Sequence, residues 1–171
     1  MRKLCLAVLA VLCLCVMSAA SEKDGVIRLR ARLQGANEVP AINSDGSALF
    51  TATIHQDGSI TFKVTFENLT SNLIVSHLHF GKEHVAGGVM IFLCGGDSQP
   101  ACPAATSGSF EGTISSANVT GPTGQGISPG DLASALRAVR QGAAYANIHT
   151  VRFPGGELRG QVVVRGDGDD D

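Results

Sequence analysis

The stretch FTATIHQDGSITFKVTF, residues 50–66, decides the fold class. Phe50, Ala52 and Ile54 alternate with Thr51, Thr53 and His55, and beyond Asp57-Gly58 the residues Ile60, Phe62, Val64 and Phe66 alternate with Thr61, Lys63 and Thr65. Successive side chains on a strand point to opposite faces, so an apolar period of two marks a strand with one face buried. Asp-Gly between two such runs has the positive-φ tolerance of a tight hairpin turn. The segment reads as a β-hairpin.

The same period recurs on both sides of it. Ile27, Leu29, Ala31 and Leu33 alternate with Arg28, Arg30 and Arg32. Leu73–Phe80 and Val89–Leu93 read as two more strands joined by the loop Gly81–Gly88. On the first of these, Leu73, Val75, His77 and His79 share one side, and Ile74, Leu78 and Phe80 form the expected core side. Residues 94–127 are rich in Gly, Ser, Pro and Thr and read as loop with one strand over Ser109–Ile114. A single short helix is predicted near residues 129–141. Ser128 is its N-cap, Pro129 its first residue and Gly142 its stop, with Leu132, Ala135, Leu136 and Val139 on one face. Ala143–Thr150 and Glu157–Arg165 close the domain as a hairpin around Pro154-Gly155-Gly156. Short strands separated by turn signals predict an all-β, antiparallel sandwich or barrel.

The ends set the compartment. Arg2 and Lys3 precede an apolar run from Leu4 to Met17, and Ser18-Ala19-Ala20 offers small residues before Ser21. This is the anatomy of a signal peptide over residues 1–20, and the run is short of the roughly 20 apolar residues of a membrane span. A lead-in over 21–26, a single domain over 27–165 and a disordered acidic tail over 166–171 follow from the remaining pattern. Without the two basic residues of the leader, eleven basic and fifteen acidic residues leave a net charge of −4. Four of those acids are Asp167, Asp169, Asp170 and Asp171. The balance excludes a general nucleic-acid binder. The expected product is secreted and extracellular, with no membrane span in the mature chain.

Cys94 and Cys102 are the only cysteines outside the leader. In an oxidising compartment they are expected to pair, a local staple worth about 2.5 kcal/mol by chain entropy. Asn68-Leu69-Thr70 and Asn118-Val119-Thr120 are glycosylation sequons, which makes Asn68 and Asn118 candidate acceptors. Arg165-Gly166-Asp167 spells an integrin-binding tripeptide, but three common residue types in an acidic tail are a chance match.

Four segments, taken in order, resemble the CHRD domain first described in chordin. They are Leu33-Gln34-Gly35-Ala36-Asn37-Glu38-Val39-Pro40, Ser76-His77-Leu78-His79-Phe80-Gly81, Ala144-Tyr145-Ala146-Asn147-Ile148-His149-Thr150 and Pro154-Gly155-Gly156-Glu157-Leu158-Arg159-Gly160-Gln161. The resemblance implies an immunoglobulin-like β-fold with a faint likeness to copper/zinc superoxide dismutases, and it carries no known activity. The cysteine-rich repeats credited with growth-factor binding in chordin are missing from this chain, so that function does not transfer.

The residue types that could carry chemistry sit on the predicted strands. Tyr145, Asn147 and His149 fall on one face, and Glu157, Arg159 and Gln161 on one face of the partner strand. One reading is a structural polar network of Glu38, Asn147, Glu157 and Arg159, with His149 bonded to a carbonyl or carboxylate. A sharper reading is metal binding. His77 and His79 offer two imidazoles from one strand face and His149 a third, a donor set suited to zinc or copper. Such a site requires the His149 ring within about 8 Å of the other rings. The dismutase pattern is incomplete, because the Gly81–Gly88 loop supplies only His84 and the cysteine pair is local. No nucleophile elbow, P-loop, HExxH or paired-carboxylate motif is present. Arg28, Arg30 and Arg32 could meet a sulfated polysaccharide, although alternating arginines are commonly a solvated edge. The leading expectation is therefore a non-enzymatic extracellular binding or structural module for a protein or glycan partner. The alternative is a divalent-metal protein built on the three histidines.

Overall fold

The computed structural model describes residues 26–96 and 99–165. Nine antiparallel strands and one helix follow in chain order: β1 (Ile27–Gln34), β2 (Ser47–Ile54), β3 (Ile60–Glu67), β4 (Leu73–Phe80), β5 (Gly88–Cys94), β6 (Gly108–Ile114), α1 (Leu132–Arg140), β7 (Ala144–Thr150), β8 (Leu158–Gln161) and β9 (Val163–Arg165). They form one sheet in the order β5-β4-β7-β8-β1-β2-β3-β6, with β9 also paired to β1. The sheet curls until its ends approach, Ile91 of β5 bridging to Val119 beyond β6. The result is a nearly closed barrel. The expected leader and acidic tail lie outside the described residues.

The hairpin over residues 50–66 forms in the predicted register, Phe50 opposite Val64 and Ile54 opposite Ile60. Gly58 takes φ +81° at its turn, a left-handed conformation that glycine adopts without a Cβ penalty. The inward side chains of every strand meet in the barrel interior. Phe50, Phe66, Leu33, Leu78, Met90, Leu93, Ile148 and Leu158 are all less than 2 % or about 2 % exposed. Each contributes roughly 1.5–3 kcal/mol by leaving water.

Three local expectations are corrected. Ile74 does not face the core: it is 42 % exposed, while Leu73 is 3 % exposed. Leu73 pairs with Thr150 and Val75 with His149, so Ile74 is the extra residue of a β-bulge and the strand changes phase there. The helix starts at Leu132, capped by Asp131, whose carboxylate accepts from Ser134 N at 3.0 Å. Ser128 and Pro129 precede it in a turn that ends on left-handed Gly130 (φ +81°), and a helix cannot run through that conformation. Its stop is as predicted. Gly142 (φ +64°) donates to Val139 O and Ala143 to Ala138 O, the paired bonds that finish a helix on a glycine.

The predicted last strand, Glu157–Arg165, is split. Leu158–Gln161 pairs chiefly with β7, and after a break at Val162 the segment Val163–Arg165 pairs with β1. Val164 is consequently 46 % exposed, where an unbroken strand would have carried it to the apolar side with Leu158 and Val162. The disulfide Cys94–Cys102 is formed, with a Cα–Cα distance of 5.0 Å, and ties the end of β5 to the loop that follows. No helix among the described residues is long and apolar enough to cross a membrane.

Closure depends on how near β8 comes to β1. A Cβ built on Gly160 would lie 2.2 Å from Arg32 O and 2.7 Å from Arg32 C, both backbone atoms that cannot swing aside. Gly160→Ala should therefore push β8 off β1 and cost about 2–3 kcal/mol, as overpacking does. Denaturant unfolding of the variant checks this, and a midpoint within error of wild type would show that the seam yields.

Candidate functional site

β7 is buried along its whole length, on both faces. Its even-numbered residues Ala144, Ala146 and Ile148 face the barrel core, and its odd-numbered residues Tyr145, Asn147 and His149 face away from it. Strand register extends that second face sideways. His77 of β4 lies opposite Asn147, and His79 opposite Tyr145. Phe92 of β5 lies opposite His77, and Arg159 of β8 opposite Asn147. Three loops cover these residues from outside the barrel: the one after β1, residues 81–87, and residues 151–157.

Arg159 holds the middle loop down. Its guanidinium donates to Lys82 O and Val85 O, each at 2.9 Å, and stacks 3.5 Å above the Tyr145 ring. Tyr145 in turn stacks on His79, with ring centroids 4.5 Å apart and planes 8° from parallel, and its hydroxyl accepts from Gly87 N at 3.2 Å. Asn147 donates to Glu38 Oε1 at 2.5 Å and Leu158 O at 2.8 Å.

The expected polar network thus divides. Glu38, Asn147 and Arg159 are neighbours, Glu38 feeling the Arg159 charge, while burial raises the Glu38 carboxyl above its ordinary range. Glu157 leaves this face altogether. It precedes β8 and turns to the opposite side, where it accepts from Thr150 Oγ1 (2.6 Å), Ser44 Oγ (2.7 Å), Thr70 Oγ1 (2.8 Å) and Thr70 N (2.9 Å). Burial would raise its carboxyl, but the bonds from Thr150, Ser44 and Thr70 outweigh that and hold it below the usual carboxylate range. The predicted placement of Glu157 beside Arg159 fails because strand alternation does not extend past the first residue of β8.

The three histidines come together. His77 is 5 %, His79 8 % and His149 7 % exposed. Ring centroids stand 4.5 Å apart for His77–His79, 4.5 Å for His77–His149 and 6.4 Å for His79–His149, inside the separation the sequence argument requires. One ligand atom from each of the three rings lies within 4.8 Å of the others. His79 Nδ1 is 2.8 Å from Gly87 O, and His149 Nδ1 is 2.9 Å from Pro154 O. Each of these bonds makes Nδ1 the protonated nitrogen, because a carbonyl can only accept. His79 Nε2, His149 Nε2 and His77 Nδ1 are buried and have no hydrogen-bond partner. Phe92 meets the His77 ring edge-on at 5.4 Å.

The segments that build this site are the four quoted from the sequence. The CHRD domain family model matches residues 29–162, most of the chain. The chain belongs to the CHRD domain family. No curated protein and no solved structure matches it. In this CHRD domain the first segment supplies Glu38, the second His77 and His79, the third Tyr145, Asn147 and His149, and the fourth Pro154 and Arg159.

Sequence reasoning missed the carbonyls of Gly87 and Pro154, the stacking of Tyr145 on His79 and the contact with Phe92. All depend on strand order and loop path, which residue alternation does not encode. Of the two sequons, Asn68 is exposed. Asn118 is 7 % exposed, and its Oδ1 accepts from Ser115 N at 2.7 Å, so a glycan has open space only at Asn68.

Burial makes the cluster neutral. It pushes His77 down to about 2, helped by the neighbouring His79 and His149. It pushes His79 down to about 4 against the bond to Gly87 O, and lowers His149 against the bond to Pro154 O. An unfolded histidine protonates near pH 6.5, so below that pH the unfolded chain takes up protons that the folded one refuses. Stability is full above about pH 6.5 and falls as the pH drops toward 4. Melting temperatures of metal-free protein from pH 7.5 to 4 should show this decline, and His77→Phe, which removes the most strongly shifted ring, should shallow it. An equal decline in the variant would assign the acid sensitivity to other groups.

Arg159→Ala should cost about 3 kcal/mol, the scale of lost charged hydrogen bonds at buried carbonyls. It should also open residues 81–87 to limited proteolysis. A wild-type melting temperature and digestion pattern would refute the clamp.

Proposed function

We propose that this CHRD-domain chain is an extracellular protein that holds one divalent transition-metal ion, zinc or copper, on His77, His79 and His149. One observation carries the reading. Three buried imidazoles each carry a nitrogen without a hydrogen-bond partner, one ligand atom of each lies within 4.8 Å of the others, and two of the rings have the remaining nitrogen fixed by a backbone carbonyl. A carbonyl bonded to the far side of a ligating ring fixes its tautomer and orientation, which is the support metal-bound histidines carry. The rings are neutral at physiological pH, so an ion would compete with no proton. Tetrahedral coordination at about 2.0–2.1 Å places ligand nitrogens about 3.4 Å apart, so binding would draw the rings inward from their present spacing. Three neutral imidazole donors suit zinc or copper. The reading is of a binding centre, not of an enzyme.

The extracellular assignment rests on the leader pattern of residues 1–20 and on the disulfide Cys94–Cys102, which belongs to an oxidising compartment. The expected protein or glycan partner would meet a different face of the molecule, since loops cover the histidines.

Elemental analysis of protein secreted without a polyhistidine tag, followed by titration of chelator-treated protein with Zn²⁺ and Cu²⁺, tests the reading. One ion per chain is expected, with a melting temperature that rises with metal concentration, by about 2.7 kcal/mol of stability at a hundredfold excess over Kd. His149→Gln should weaken binding at least about a hundredfold, beyond the loss seen when only a supporting partner is removed. Wild-type protein that takes up neither ion and shows no thermal shift would end the proposal.

A further inference from the structure

The place of β1 in the sheet changes the meaning of its three arginines. Basic residues along an edge strand keep other chains from adding to it. β1 is not an edge. β2 pairs with it along its full length on one side, and β8 and β9 pair with it on the other. Edge protection therefore does not explain Arg28, Arg30 and Arg32. Moreover, Arg28 lies directly opposite Arg165 of β9. The pair concentrates positive charge at that end of the face.

Register carries the same outward face across four strands. Arg28 is in line with Thr53, Thr61 and Thr113, and Arg30 with Thr51, Lys63 and Glu111. Their strand neighbours Leu29, Ala31, Ala52, Phe62 and Val64 point into the core. Two shallow depressions lie on this face. One of 360 Å³ is lined by Arg30, Arg32 and Thr65 among others, and one of 510 Å³ by Thr51, Thr61 and Lys63 among others. Arginines two apart on a strand stand about 6.6 Å apart. Each guanidinium is a planar fork suited to an oxyanion, and the threonine hydroxyls between can both donate to and accept from sugar hydroxyls.

We propose that the outer face of β1, β2, β3 and β6 binds a sulfated polysaccharide, with Arg28, Arg30, Arg32 and Lys63 meeting the sulfates. A membrane surface fits less well. Of the exposed large hydrophobic residues among the described residues, only Val163, opposite Arg30, belongs to this face, and membrane-surface segments bury an apolar stripe. Single-stranded nucleic acid fits less well too, because these rows offer no aromatic ring on which a base could stack. The face is separate from the histidine cluster, which lies on β4 and β7, so the proposal does not depend on a metal.

The test uses the full secreted chain and heparin as probe, with fully desulfated heparin and phosphatidylserine vesicles as competitors for the assignment. Binding to heparin should weaken steeply as salt rises. Arg28→Gln/Arg30→Gln/Arg32→Gln should weaken it at least about tenfold at low salt. Exposed Lys63→Gln should weaken it several-fold without touching the barrel seam, which keeps the test decisive if the triple variant folds poorly. Glu111→Gln, which removes the acid opposite Lys63, should strengthen it. Equal binding of desulfated polymer, binding to vesicles alone, or unchanged affinity in Lys63→Gln would each overturn the proposal.

Discussion

Both faces of β7 are closed to water, and the rest of the molecule is arranged around that fact. The core side is simple, because Ala144, Ala146 and Ile148 need only apolar neighbours. The other side carries Tyr145, Asn147 and His149, which each need a polar partner once buried. Sheet neighbours cannot supply enough of them, so three loops fold back over β7 and bring carbonyls and a carboxylate with them. Gly87 N, Pro154 O and the Glu38 carboxylate meet Tyr145, His149 and Asn147, and the carbonyls of Gly87, Lys82 and Val85 meet His79 and Arg159 on the strands beside β7.

Two charged groups fix this cover in different ways. Arg159 acts on one side of the sheet, spending its donors on carbonyls of residues 82 and 85 while its flat face lies on Tyr145. A guanidinium bound to carbonyls keeps its charge without needing a carboxylate beside it, and a planar fork meets two acceptors at once. Glu157 acts on the other side, where four donors from three segments surround a single carboxylate. It ties residues 44, 70 and 150 together where the chain enters β8. Only Leu158 separates the two ions in sequence, yet they work on opposite faces.

How much of this the sequence shows depends on which physical signal was local. The hairpin over residues 50–66 was legible because alternation and an Asp-Gly turn act within a few residues of each other. The grouping of His77 with His79, and of Tyr145 with Asn147 and His149, followed from the same period. Ile74 and Glu157 were misplaced because a bulge and a strand end interrupt the period, and neither has a side-chain signature here. The helix start was misplaced because Pro129 fits a first helical position, and only the backbone shows that Gly130 turns left-handed before Asp131 can cap. That β4 and β7 are neighbours, which brings the third histidine to the other two, is a matter of strand order and could not be read from either segment alone.

The energetics of the histidine cluster argue that it is not there for stability. A buried polar atom left without a partner costs about 1–3 kcal/mol, and His77, His79 and His149 each carry one such nitrogen. Leucine or phenylalanine at these positions would fill the space beside Phe92 without that cost. The fold also spends two backbone carbonyls on the far nitrogens of His79 and His149, which orients the rings but leaves the near nitrogens bare. A purely structural histidine would be satisfied in the opposite sense, with its exposed ring edge in water and its buried edge bonded. Three neutral imidazole lone pairs gathered in one place are a donor set suited to a metal cation, which is the physical basis of the proposed centre.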